Sequence, residues 1–333
     1  MSDTVDWDLA ARVGIRLLRP GPKLSHDERT AAVARLRQSA QRSVDLVAAA
    51  SQLPAAEDAN GVTLVVDRAG VVRANAAVMS MVMSQLDQQS HNGLASRLTG
   101  GGAGVVLAFI ATSVLGQYEP FSDRLLLSAP SVEAVRAEIK ADPSDFALWV
   151  CLHEQTHRHQ FAAAPWLREY LIGLMRRVIE LETEDKPSDR GRDKGNDADL
   201  GLISALSSPA VAPVLGEVTA VMSLLEGYAD MLMDMAGAPV IPTLPTIRAA
   251  IDARRKPARP TLKTIVGRAI GFASKIDQYV DGKVFCESVC RQVGLDGLNT
   301  AFSGPDAVPT KDELRDPSAW VTRRFGDHVD VVA

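Results

Sequence analysis

Cysteine is scarce: 333 residues contain only Cys151, Cys286 and Cys290, too few for a disulfide framework or a thiolate zinc site. The three read instead as small buried hydrophobes of a reducing compartment. Net positive charge is missing too, since 36 Lys and Arg face 41 Asp and Glu, for a formal charge of −5. No overall basic field exists to draw nucleic acid or an acidic membrane. The one basic stretch, Arg254-Arg255-Lys256-Pro257-Ala258-Arg259, is broken by proline, lacks interleaved aromatics and reads as a solvated linker. No apolar run reaches the roughly 20 residues that span a bilayer. The nearest, Gly101 to Gly116, is short and Gly-rich, and predicts a buried helix. The opening residues Met1 to Asp6 are acidic, without the basic-then-apolar order of a secretory leader. These absences predict a cytoplasmic protein with neither nucleic acid nor membrane as partner.

What is present suits a globular chain: 46% hydrophobic and 23% charged residues, long enough for one large domain or two modest ones. Residues 7 to about 53 have apolar positions at helical spacing, divided by Pro20-Gly21-Pro22. Val62 to Val66 and Val71 to Ala74 flank Asp67-Arg68-Ala69-Gly70, a β-hairpin signal. Further helices are predicted to about residue 98 and over 103–116. Leu125 to Ser128 is a short strand candidate. The charged stretch Glu184 to Asp199 predicts an exposed loop. Together these features predict a mainly α (α+β) fold with a small β-sheet or hairpin.

Histidine is used sparingly, yet three of the six lie between positions 153 and 159. His153-Glu154-Gln155-Thr156-His157 is an H-E-x-x-H run. Four positions on an α-helix turn through about 400°, so His153 and His157 share a face one turn apart, as two ligands of one Zn²⁺. Glu154 lies about 100° round the helix, near enough to a water on that zinc to act as its base. Asp142 is a plausible N-cap, Pro143 suits the first helical position, and Asp145 in the first turn favours the helix dipole. The apolar run Phe146 to Leu152 then carries the motif through a core.

Catalytic zinc takes three protein ligands and an open position. His159 is about 200° round the helix from His157 and faces away. Leu215 to Leu232 is a second apolar helical stretch with Glu226 and Asp230 stranded in it as an i, i+4 pair. Buried carboxylates are costly unless paired or bound to metal. Glu226 is therefore the expected third ligand, and Asp230 the acceptor that orients a ligand histidine from outside. Gly227 would let the two helices approach closely. Glu217 is the fallback ligand.

These two halves, H-E-x-x-H and Glu226-Gly227-Tyr228-Ala229-Asp230, resemble the zincins, and among them the gluzincins with their E-x-x-x-D second motif. Further stretches resemble an actinobacterial zincin-like metallopeptidase family that includes proteins associated with deazaflavin-coenzyme biosynthesis. They include Val5 to Ala10, Leu115 to Pro120, Pro165 to Arg168, Met222 to Tyr228, Lys275 to Tyr279, Leu314 to Pro317 and Trp320-Val321. The likeness runs from about residue 5 to residue 325. It implies a zincin-like fold with an active-site helix and a metallopeptidase activity, and does not itself supply the substrate; zinc is the expected cofactor and a peptide or protein the expected substrate. On that basis we expect residues 1–117 to form an N-terminal, mainly helical region with the hairpin. Residues 118–333 would form the catalytic region, packed with it as one unit. The gap between His157 and Glu226 is longer than in the best-known gluzincins.

In such a site Glu154 takes a proton from the attacking water and returns it to the leaving amine. A strand beside the active-site helix would receive extended substrate at the sheet edge, with Leu125 to Ser128 as the candidate. Tyr118, Tyr228, Tyr279 and His328 are open as second donors to the developing oxyanion, though helical phase turns Tyr228 away. Arg158 and His159 could line the cleft, but each reads better as a solvated or packing residue. The competing readings are a zinc hydrolase of a small-molecule amide, a structural zinc module and a helical interaction protein without metal.

Overall fold

The computed structural model describes residues 6–54, 61–87, 100–184, 210–255 and 282–326. Two helices open it, α1 (Trp7–Leu17) and α2 (His26–Ser51), separated at the Pro-Gly-Pro segment. Ser25 and Glu28 form a reciprocal capping box that starts α2. Strand β1 (Val62–Val66) leads into α3 (Arg68–Asp87), then α4 (Gly100–Ser113). Strands β2 (Gly116–Glu119) and β3 (Arg124–Ser128) follow, then α5 (Ala129–Ile139) and α6 (Pro143–Ala163). The remaining helices are α7 (Trp166–Glu184), α8 (Ala212–Gly237), α9 (Leu244–Arg255), α10 (Gly282–Asn299) and α11 (Pro317–Phe325). The fold is mainly helical, with a three-stranded sheet among the described residues.

The expected hairpin is overturned. Val71 to Ala74 lies inside α3, and β1 pairs in parallel with β3 across a long crossover. Asp67 caps the helix: its Oδ1 accepts the Gly70 N–H at 2.6 Å and its carbonyl accepts the Val71 N–H. Gly70 does not take the positive φ of a tight hairpin turn. Val71 and Val72 are both buried, which an alternating strand would not allow. The order β1-β3-β2 makes β3 the central strand, paired on both sides, so it is not a free edge for substrate. The strand beside α6 is β2, which the sequence reading passed over.

The main core gathers Leu36 of α2, Phe146 and Leu152 of α6, Leu224 and Leu232 of α8, Phe285 of α10 and Trp320 of α11. A smaller cluster joins α1, α3 and α4 through Ala10, Val71, Val72, Ala103, Leu107 and Ala111. There α1 and α4 touch through glycines, since a Cβ on Gly104 would stand 2.8 Å from the Ala10 carbonyl oxygen. Strand β2 spans the expected boundary at residue 117. Among the described residues no helix is long and apolar enough to cross a membrane. Most of the Glu184 to Asp199 stretch, Lys256 to Arg259, Tyr279 and His328 lie outside the described residues.

Candidate metal centre

Helix α6 begins where the sequence puts it. Asp142 Oδ1 accepts the N–H groups of Ser144 and Asp145 at 2.9 and 3.0 Å, with Pro143 at the first helical position. Asp145 does more than complement the dipole: its Oδ2 accepts from the backbone N–H and hydroxyl of Thr243, at 3.0 and 2.6 Å. That bond ties the start of α6 to the α8–α9 connection. The helix then runs buried from Phe146 to Leu152 and delivers the motif.

At its exposed side, His153, His157 and Glu226 bring one ligand atom each within 4.8 Å of one another. His153 Nε2 lies 3.6 Å from Glu226 Oε2, and His157 Nε2 lies 3.5 Å from Glu226 Oε1. Donors each about 2.0–2.1 Å from a tetrahedral zinc stand about 3.3–3.4 Å apart, so the residues fit that ion. The Glu226 side chain is 46% exposed, which leaves the cluster open to a substrate. Glu217, the fallback, is elsewhere engaged: Arg177 grips both its oxygens, at 2.7 and 2.9 Å.

Glu154 is buried beside the cluster. Its Oε2 accepts the Tyr118 N–H at 3.0 Å, and its Oε1 is 3.6 Å from His153 Nδ1. Room for it comes from Gly116, where a Cβ would lie 2.5 Å from Glu154 Cγ. Burial pushes the Glu154 pKa up, but His153, His157 and the Tyr118 N–H outweigh it and hold the carboxyl below its ordinary value. Burial likewise pushes His153 down, while Glu154, Glu226 and Asp230 together raise it above its ordinary value.

Asp230 stands one turn beyond Glu226, and Arg248 of α9 engages it. Arg248 Nη1 reaches Asp230 Oδ1 at 3.2 Å and Nη2 its carbonyl at 2.7 Å. The same guanidinium bonds Asp234 and lies over the Trp149 ring. The outer nitrogen of His157 goes to Gln160, with Nδ1 2.9 Å from Oε1. Gly227 does not serve the approach of α6 expected of it. The backbone of Gly282 occupies its Cβ position, so it seats α8 against the start of α10.

His159 is buried away from the cluster, with Nδ1 beside Gln155. Arg158 is buried too and anchors α6 to the sheet, its Nη2 donating to the Val62 carbonyl at 3.1 Å. Of the candidate oxyanion donors, Tyr228 is fully buried with its hydroxyl 2.8 Å from Asn299 Oδ1. The Tyr118 hydroxyl donates to Asp123 and receives Arg168. Burial, then Asp123, push its pKa up to about 12. Both hydroxyls are committed elsewhere.

Sequence reasoning missed Gln160, Gly116 and the Tyr118 N–H. Only Gln160 left a local signal, an amide three positions after His157 and hence on its face.

A crystal structure of a candidate hydrolase with a novel fold from Chloroflexus aurantiacus is similar to this one at a TM-score of 0.70 and 25% identity. The match covers 96% of this chain and 98% of that chain. No curated protein matches significantly. The family model for zincin-like metallopeptidases matches residues 5–321. With that match over nearly its whole length, the chain belongs to the zincin-like metallopeptidase family.

Proposed function

We propose that the protein is a zinc-dependent metallopeptidase, with His153, His157 and Glu226 as zinc ligands and Glu154 as general base. The observation that carries the reading is the convergence of those three ligand atoms beside a buried, ionised Glu154. Family membership supports a zinc hydrolase as the class of chemistry. A structural zinc alone would leave a buried carboxylate at 154 without purpose.

When bound, zinc supplies a Lewis acid that polarises a carbonyl and acidifies water. The Glu154 carboxylate, held below its ordinary pKa, accepts the proton of the attacking water and delivers it to the leaving nitrogen. His153 stands beside it, with Nδ1 3.6 Å from Glu154 Oε1. Strand β2 argues for a peptide over a small amide. The Tyr118 N–H turns away from β3 towards Glu154, so the outer edge of β2 borders the reacting centre. An extended peptide is the shape that adds to such an edge. We place the activity in the cytoplasm, which the three free cysteines support.

The test is metal content followed by peptide-library cleavage read by mass spectrometry, on wild type and Glu154→Gln. About one zinc per chain, with cleavage in wild type that is lost in the variant and with chelator, is the expected result. Zinc without peptide cleavage, but with hydrolysis of small amides, would move the substrate class. Absence of zinc uptake would sink the reading.

A further inference from the structure

Gln160 is fully buried on α6, three residues past His157 and on the same face. Its side chain reaches in two directions. Oε1 lies 2.9 Å from His157 Nδ1, and Nε2 donates to the Leu225 carbonyl of α8 at 3.0 Å. Leu225 is the residue immediately before Glu226. We propose that Gln160 is a positioning residue that sets the tautomer of His157 and pins Glu226 opposite it.

The amide can be oriented from its partners alone. A backbone carbonyl only accepts, so the NH₂ of Gln160 must face Leu225. The oxygen therefore faces His157, and an amide oxygen only accepts in turn. His157 must carry its proton on Nδ1, which leaves the Nε2 lone pair aimed at the cluster, 3.5 Å from Glu226 Oε1. One uncharged side chain thus fixes the donor atom of one ligand and the backbone position of another. His153 has no such arrangement; its Nδ1 faces the Glu154 carboxylate at 3.6 Å. The amide suits both tasks where other groups fail. A carboxylate would accept from His157 but repel the Leu225 carbonyl, and a thioether of similar length would do neither.

The experiment compares wild type, Gln160→Met and Gln160→Glu. The His157 tautomer is read in metal-free protein from long-range ¹⁵N–¹H spectra, and zinc affinity by competition with a chromogenic chelator. Wild type is expected to hold the Nδ1–H form. Q160M should mix tautomers and bind zinc about 10–100-fold more weakly, the usual cost of losing an outer partner. Q160E, still an acceptor, should keep the tautomer and recover part of the affinity. An Nε2–H form in wild type would overturn the proposal, and that arm needs no variant to fold. So would equal losses in Q160E and Q160M, or a Q160M that unfolds earlier while tautomer and affinity stay put. The affinity arm rests on the zinc reading above, but the tautomer arm does not. If wild type takes up no zinc, a tautomer shift in Q160M still supports the positioning role, and an unchanged tautomer rejects it.

Discussion

His153 and His159 share a helix and differ by six positions, yet they occupy opposite electrostatic worlds. On the open face of α6, His153 is surrounded by Glu154, Glu226 and Asp230, and their fields more than cancel the effect of burial. On the packed face, burial pushes His159 below its ordinary value, with the Arg158 cation adding to the shift, and its polar neighbour is Gln155. Helix α8 repeats the contrast with carboxylates. Glu217 is neutralised by a two-pronged Arg177, while Glu226 faces two imidazoles and no arginine contact is seen among the described residues. The difference teaches how to tell a metal ligand from a structural charge. The structural group has its counter-charge built in, whereas the proposed ligand set holds donors in one another's company, close enough to share an ion.

The strongest way to break this contrast is to exchange its carboxylates. Glu226→Ala should weaken zinc binding by at least about a hundredfold, more than the loss of an outer partner. Glu217→Ala should leave affinity unchanged and lower stability by no more than about 1 kcal/mol, as for a half-exposed ion pair. Chelator competition and thermal unfolding on the pair decide it, and equal zinc affinities would mean that Glu226 is no ligand. Next comes Glu154→Gln, which should cost about 10²–10⁴ in kcat while zinc affinity changes only a few-fold. Unchanged turnover would remove Glu154 from the chemistry.

Two smaller effects use pH. Zinc needs neutral His153, whose raised pKa in the metal-free site lets protons compete above the ordinary histidine range of about 6.5. Zinc dissociation constants measured against pH should therefore start to rise while the pH is still above that range. For His159 the sign is reversed and the readout is folding. Its folded pKa lies below the unfolded value, so the unfolded chain takes up the proton first as pH falls below about 6.5. Stability that is fully present at neutral pH is then lost on acidification. In metal-free protein, His159→Gln should lose less stability between pH 7 and pH 5 than wild type. An identical acid profile would contradict a neutral, buried His159.

The parts of the site legible in the sequence are those that depend on one helix at a time. H-E-x-x-H spacing fixes a shared face, and a carboxylate in an apolar helix draws attention to Glu226, although its side chain is half-exposed and not buried as expected from the sequence. The cap at Asp142 and the strand at Leu125 to Ser128 are likewise local. What escaped depends on distant partners. Asp67-Arg68-Ala69-Gly70 has turn chemistry, and a helix cap uses the same residues as a hairpin. Only the parallel pairing of Val62 to Val66 with Arg124 to Ser128 decides between them. The task of Gly227 could not be assigned without knowing that Gly282 would arrive against it. Gly116 and the Tyr118 N–H were invisible because their role is to receive Glu154 from another element.

Gln160 and Leu225 are 65 positions apart in the chain and in direct contact across the core. The place of Glu226 beside the two histidines is therefore held by contact between α6 and α8. The number of residues between the halves of the motif is thus no measure of the distance between the side chains they supply.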